Sequence, residues 1–257
     1  MGKNTNMKII ICGCNGKMGK AIVESVEKFE NSVVVAGVDI NHSESNEFPV
    51  FESIEKVNLS ADVIIDFSHP SALSSILEYS EKNKIPAVIC TTGLSGDQIE
   101  DIKKVAHEVP IFYSRNMSLG INLLLELAKP ATKVLGENFD IEIIEKHHNQ
   151  KIDAPSGTAM MIAEEISETL NNNTRYVFDR TQRRSPRSKN EIGIHSVRGG
   201  SIPGEHEIIF AGKDEIITLS HHAGSRNIFA LGALHAAKFI YTQSPGLYSM
   251  KDMIKNS

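Results

Sequence analysis

The chain has 257 residues, 40% hydrophobic and 23% charged, with a formal net charge of −5. That length and composition suit one large or two moderate globular domains with real cores. They exclude a membrane-spanning chain, since apolar runs break well before ~18 residues, and a nucleic-acid reader, since the densest basic stretch, Arg180–Lys189, is one polar tract in an acidic chain and reads as a surface loop facing an anionic ligand.

The opening MGKNTNMK has no apolar region behind it of the kind a signal peptide carries, so a cytoplasmic location is expected. Cys12, Cys14 and Cys90 make neither a disulfide framework nor a zinc quartet, and Cys12, inside a strand-like run, reads as a small hydrophobe. Lys8–Cys12 is the first strand, GCNGKMG spans Gly13 to Gly19, and KAIVESVEKF has helical spacing. Val33–Val38 is the second strand and ends at Asp39. Strand, glycine turn, helix, strand and acidic residue is the order that a dinucleotide site requires.

In that turn Gly13 makes the tight bend, Gly16 lets the backbone approach a pyrophosphate, and Gly19 lets the helix lie close to the sheet. Asn15, Lys17 and Met18 share the turn and join the candidate cofactor contacts. The Asp39 carboxylate suits the ribose hydroxyls, and a 2′-phosphate there meets like charge with no arginine at Ile40 or Asn41 to offset it. Lys17 and His42 are the cations able to reach that side. NADH is therefore expected to be preferred or at least accepted, with NADPH possible.

The alternation continues through Ala61–Phe67, a helix reaching about Lys82, a strand over Ala87–Cys90, and Ile111–Tyr113. Ser95 and Gln98 form a capping box for the helix running to Ala106. Parallel sheets bind ligands at the carboxyl ends of their strands. Phe67, Ser68, His69, Thr91, Thr92, Gly93, Ser114, Asn116 and Met117 fall at such ends and read as a rim for ribose and nicotinamide.

After Asn116 the pattern changes. SLGINLLLELAKPATKVL is a helix with an apolar face expected to be buried between domains or subunits, and FDIEIIE, EIGIHSV, EHEIIFA and DEIITLS alternate as strands of a sheet with one exposed face. A polar loop is expected around 171–190, a small-residue helix over Arg226–Tyr241, and SPGLYSMKDMI as a closing turn and tail. Arg226, at that helix start, is a further candidate cofactor contact. The fold class is α/β: a Rossmann-like dinucleotide-binding domain (1–117), an inserted α+β substrate-binding and oligomerisation domain with a mostly open mixed sheet (118–226), and a C-terminal segment (227–257) returning to the first domain.

The densest chemistry is EKHHNQKIDAPSGTA, Glu145 to Ala159. A strand drives toward His147, and Ser156 is placed to cap a helix whose first turn holds Gly157, Thr158 and Ala159. Such a turn offers N–H donors and a positive dipole end. Lys151 adds a cation and proton donor, and His147 or His148 a group that titrates near neutrality. Together they imply a small carboxylated anion reduced by the dinucleotide. A zinc site from His147, His148 and Asp153 is disfavoured because neighbours leaving a strand point apart. His195 reads as packing or hydrogen bonding, while a reductase of another small carboxylated substrate and a non-catalytic NADH sensor remain open.

Glu142–Ala159, EIIEKHHNQKIDAPSGTA, resembles the signature of the 4-hydroxy-tetrahydrodipicolinate (dihydrodipicolinate) reductases, and the likeness extends to GCNGKMG, DFSHP, TTG, SRNMSLG, IGIHSVRGGSIPGEH and HHAGSR. The resemblance implies reduction of the cyclic synthase product to tetrahydrodipicolinate, with loss of water, by NADH or NADPH in the diaminopimelate route to lysine. It implies His147 as the proton-transfer residue, Lys151 assisting, and His148, Ser156, Gly157 and Thr158 as carboxylate contacts. It further implies a homotetramer joined through the second domains, and no resident metal. Two departures bear on the cofactor: Ile40 stands where many relatives carry an arginine, and Lys17 stands where relatives often carry an arginine in the glycine loop, keeping charge but losing the planar fork.

Overall fold

The computed structural model describes residues 6–42, 46–136, 138–181 and 184–255. It divides into two compact units, Met1–Leu119 with Arg226–Ser257, and Gly120–Ser225.

The first unit is built on β1 (Met7–Cys12), β2 (Ser32–Val38), β3 (Val50–Phe51), β4 (Val63–Asp66), β5 (Ala87–Ile89), β6 (Pro110–Tyr113) and a late strand, β12 (Gly246–Tyr248). All pair in parallel, in the order β12-β6-β5-β4-β1-β2-β3. Strands covered on both faces need apolar side chains at consecutive positions, and β1 supplies them. Ile9 and Ile11 face one core with Ile22 and Val26 of α1 (Lys17–Val26) and Ala233 and Ala237 of α6 (Asn227–Ile240). Ile10 and Cys12 face the other with Ile76 of α2 (Leu73–Asn83) and Ile102 of α3 (Gly96–Val105). Each such isoleucine, fully buried, contributes roughly 1.5–3 kcal/mol. The Ser95–Gln98 capping box at the start of α3 is present in both directions.

The second unit carries β7 (Asp140–His147), β8 (Arg175–Val177), β9 (Glu191–Arg198), β10 (Glu205–Ala211) and β11 (Ile216–His222) in the order β11-β10-β7-β9-β8. β10 runs antiparallel to both neighbours, whereas β7, β8 and β9 are parallel, so the sheet is mixed. Ile141 and Ile143 alternate onto one face and pack with Ile194, Phe210, Leu124 and Leu125 of α4 (Leu119–Leu135), and Ile162 and Ile166 of α5 (Gly157–Thr169). The opposite face is polar: Lys146 Nζ lies 3.1 Å from both Glu205 and Glu207, and His195 Nε2 is 2.8 Å from Glu142.

Several expectations are corrected. SPGLYSMKDMI is no closing turn and tail: it forms edge strand β12 and α7 (Met250–Lys255), which buries Met250 and Met253 in the first core. The 171–190 segment contains β8, an edge strand too short for alternation to reveal. The apolar face of α4, made by Ile121, Leu124, Leu125 and Ala128, packs inside the second unit with Ile141, Ile143, Ile162 and Ile166, while Leu123 and Leu127 remain exposed. The basic stretch is tied to the second sheet by ion pairs. Arg180 pairs with Glu191, and Arg187 with Asp140 at 3.2 Å and Glu142 at 3.4 Å; Gln182 and Arg183 lie outside the described residues. Among the described residues no helix is long and apolar enough to cross a membrane.

Candidate functional site

In the first unit the chain leaves β1 at Cys12 and turns at Gly13, whose φ is +77°. A side chain is strained there and its Cβ would meet the Phe67 carbonyl oxygen at 2.7 Å. Gly19 permits the second close approach, because a Cβ would lie 2.1 Å from the Gly13 carbonyl oxygen. Gly16 caps α1 without a side-chain hydrogen bond, and no acidic residue sits in the first turn. That helix end therefore keeps N–H donors and dipole for an external anion. Lys17, the first helical residue, is exposed.

Asp39 follows β2 and receives the Asn15 N–H at 3.0 Å and the Asn41 N–H at 2.9 Å. The Asn15 amide in turn donates to the Asn41 carbonyl. A cavity of about 480 Å³ is lined by Gly13, Gly16, Asp39, Ile40, Phe67 and Ser68. A second, of about 320 Å³, shares Phe67 and Ser68 and adds Met18, Thr91, Ser114, Asn116 and Met117. The structure thus brings most candidate cofactor residues to two neighbouring hollows at the carboxyl ends of the strands. Lys17, Gly93 and Arg226 line neither and are exposed, and Asn15 and Gly19 belong to the glycine turn without lining either hollow.

Below the smaller hollow lies a residue that sequence reasoning passed over. Asp66, fully buried at the end of β4, accepts from the Ser68 N–H at 2.9 Å, the Ser68 hydroxyl at 2.5 Å and the Thr91 hydroxyl at 2.7 Å. Burial outweighs these bonds and raises its pKa. Ser68 and Thr91 are held by this carboxylate. The signal was an aspartate inside the otherwise apolar VIID.

In the second unit, β7 delivers His147, and the loop after it carries Lys151 and Asp153 to α5. Ser156 caps α5, its hydroxyl accepting from the Ala159 N–H at 3.1 Å and contacting His206 Nε2 at 3.1 Å. The hydroxyl proposed for substrate is thus already engaged in building the helix end. Lys151 Nζ sits 2.8 Å from Asp153 Oδ1, and Asp153 also accepts from the Gly157 N–H. Burial works to raise the Asp153 pKa, but the Lys151 hydrogen bond and charge and these backbone donors hold it below the ordinary value. Gly157 is exposed, and His148 and Thr158 are half-buried.

Behind this loop lies the second unforeseen group. Glu145 is fully buried and accepts from His147 Nδ1 at 2.5 Å, from Arg198 Nη1 at 2.9 Å and Nη2 at 2.7 Å, and from the Ser156 N–H at 3.1 Å. Burial alone raises a carboxylate pKa, but hydrogen bonds from His147, Arg198 and Ser196 overcome it and hold Glu145 well below the usual range. His206, edge-on to His147 with ring centroids 5.2 Å apart, is pushed down to about 3 by burial and then by His147, so it stays neutral at physiological pH. Among the described residues, Glu205, Glu207 and His222 have metal-ligand spacing, yet Lys146 already bonds both carboxylates, and the trio does not include His147, His148 or Asp153.

The chain matches the family model "Dihydrodipicolinate reductase, N-terminus" over residues 7–117 and its C-terminal counterpart over residues 120–254. It is 51% identical over 250 residues to the 4-hydroxy-tetrahydrodipicolinate reductase of Clostridium novyi, covering 97% of this chain and 98% of that one. It is 52% identical over 249 residues to that of Caldanaerobacter subterraneus subsp. tengcongensis, with the same coverage. A solved structure of dipicolinate-bound dihydrodipicolinate reductase from Paenisporosarcina sp. TG-14 superposes with a TM-score of 0.80 at 28% identity, over 95% of this chain and 98% of that chain. The architecture, the sites and these likenesses agree, and the chain belongs to the dihydrodipicolinate reductase family.

Proposed function

We propose that this chain reduces 4-hydroxy-tetrahydrodipicolinate to tetrahydrodipicolinate, with loss of water, at the expense of NADH or NADPH. The observation that carries the reading is the loop of the second unit, where His147, Lys151 and the N-terminus of α5 are gathered within one short segment. Loss of the ring hydroxyl with a ring proton as water leaves a conjugated cyclic imine. A reduced nicotinamide dinucleotide, when bound, supplies the hydride that this electrophile accepts. One proton must then reach the reduced ring, so substrate, reduced cofactor and one proton become product, oxidised cofactor and water.

In this reading His147 delivers that proton and Lys151 assists it while holding a substrate carboxylate. The Asp153 carboxylate, bonded to Lys151 and to the Gly157 N–H, marks a place that a substrate carboxylate can take. In this reading His148, Gly157 and Thr158 supply further contacts to the substrate carboxylates, and Ser156 contributes by presenting the helix end. The uncapped start of α1, the glycine turn and the two hollows fit a dinucleotide, with Gly13, Gly16, Lys17 and Met18 toward its phosphates and nicotinamide and Asp39 on the ribose. NADH is the preferred form, because Asp39 disfavours a 2′-phosphate and Ile40 cannot offset it. The active species is a homotetramer assembled through the second unit, whose edge strand β11 exposes Ile216 and Ile217; light scattering at assay concentration tests this.

The decisive assay couples the preceding synthase, with aspartate semialdehyde and pyruvate, to this protein and follows NADH and NADPH loss separately. Consumption dependent on the synthase product is expected, faster with NADH. No consumption with either cofactor removes the reading.

A further inference from the structure

We infer that Glu145 is a positioning residue that fixes the tautomer and orientation of His147, so that Nε2 is the ring nitrogen left to exchange a proton. This rests on the reading that His147 is the proton donor, and it adds what makes that histidine competent.

The argument is one of donors and acceptors. The Arg198 guanidinium and the Ser156 N–H can only donate, and both point at the Glu145 carboxylate. An ionised carboxylate can only accept. His147 Nδ1, 2.5 Å from Glu145 Oε2, must therefore carry the hydrogen of that contact. In the neutral ring Nε2 then holds the lone pair, and in the charged ring it holds the proton free to leave. The two-point grip of Arg198 and the hydrogen bond from Ser196 keep Glu145 ionised, so it orients the ring without competing for its proton.

The far side of the ring supports the same orientation. Gly204, at φ +153°, passes so close that a Cβ there would lie 3.1 Å from His147 Nε2. A side chain at that position would press on the nitrogen that the Glu145 contact leaves available. Glu145 of β7 bonds the ring, His206 of β10 lies edge-on to it, and Arg198 of β9 bonds Glu145; Lys151 of the following loop and His221 of β11 act through space on His206, and Asp153 pairs with Lys151. Of these, His206 is neutral and bonded to Ser156, so Glu145 is the anion in direct contact with the imidazole. A neutral replacement at position 145 withdraws the fixed acceptor that holds Nδ1–H.

Nitrogen-15 NMR of the histidine rings in the full-length protein, with His147 assigned through His147→Gln, tests this. The neutral wild-type ring is expected to be protonated at Nδ1, and Glu145→Gln to show a mixed or reversed tautomer. In that variant kcat is expected to fall on the order of tenfold or more, with NADH affinity unchanged. A wild-type ring protonated at Nε2 overturns the inference, as does a folded Glu145→Gln that keeps the wild-type tautomer. If Glu145→Gln does not fold, the wild-type spectrum alone decides. A wild type with the Nδ1–H tautomer but no turnover of the synthase product removes the proposed activity and leaves the placement of the ring standing.

Discussion

Two buried carboxylates, one in each unit, stand at or near the end of a strand and lie under a candidate site, yet their surroundings differ in kind. Asp66 meets hydroxyls and a backbone N–H, with no cation among its bonds, and its pKa is raised. Glu145 meets a guanidinium and an imidazole, and its pKa is lowered. The contrast matches the tasks proposed for the two units. The first offers main chain, hydroxyls and a helix end to a ligand that brings its own charge and reductant. The second assembles cations and a proton donor for a small anion, which requires charges to be held out of water.

If charge is the second unit's instrument, removing it there should damage the reaction without touching cofactor binding. Lys151→Ala is expected to lower kcat by about 10²- to 10⁴-fold, with the NADH dissociation constant unchanged by fluorescence titration. A near-wild-type kcat would take Lys151 out of the mechanism and leave the comparison without its chemical half.

The carboxylates themselves can be set against each other. Glu145→Gln leaves Arg198, whose side chain is only 19% exposed, without its counter-charge, and breaking such a pair from one side costs about 3–5 kcal/mol. Asp66→Asn removes a carboxylate that no cation balances, and the change should stay within about 1.5 kcal/mol. Their pH dependences should also oppose. Below its ordinary value of 4.5, Glu145 stays ionised in the native state while the unfolded chain binds the proton. Its stabilisation is therefore lost as pH falls through the native value, and the wild type's advantage over Glu145→Gln grows with pH up to about 4.5. Asp66 does the reverse: above its ordinary value of 3.8 the unfolded chain releases a proton that the native state retains. Wild type should accordingly lose ground to Asp66→Asn as pH rises from there. Urea titrations of the three proteins between pH 3 and 8 decide it, and parallel curves would dissolve the distinction.

How much of this was legible depended on whether the physics was local. The continuous apolar run of β1, buried on both faces, and the glycine turn could be read directly, because each residue's constraint comes from neighbours a few positions away. Glu145 could have been found the same way. In β7 it shares the buried face with Ile141 and Ile143, and a carboxylate on an apolar face demands a partner. What could not be read was which partner: Arg198 lies on β9, brought alongside only by parallel pairing with β7. The same holds for Thr91 and Asp66, joined across β4 and β5. β12 and β8 were missed because three residues carry no period, and an edge strand is specified by the neighbour it pairs with.

The smallest effect tests the comparison from the opposite direction, by putting a charge where the first unit has none. Ile40 is 91% exposed beside Asp39, so Ile40→Arg disturbs no core. Both Asp39 oxygens are already tied to backbone N–H groups of Asn15 and Asn41, which keeps the carboxylate in place whatever stands next to it. An arginine there can fork onto a 2′-phosphate and offset the repulsion from Asp39. One charge-assisted contact of about 1.4 kcal/mol is a tenfold change, so the ratio of kcat/KM for NADPH to that for NADH should rise by about that factor. The gain should shrink with added salt, as an exposed pair's must. An unmoved ratio would mean that the ribose hydroxyls do not lie against Asp39, and that the first unit selects its cofactor through groups other than the acidic end of β2.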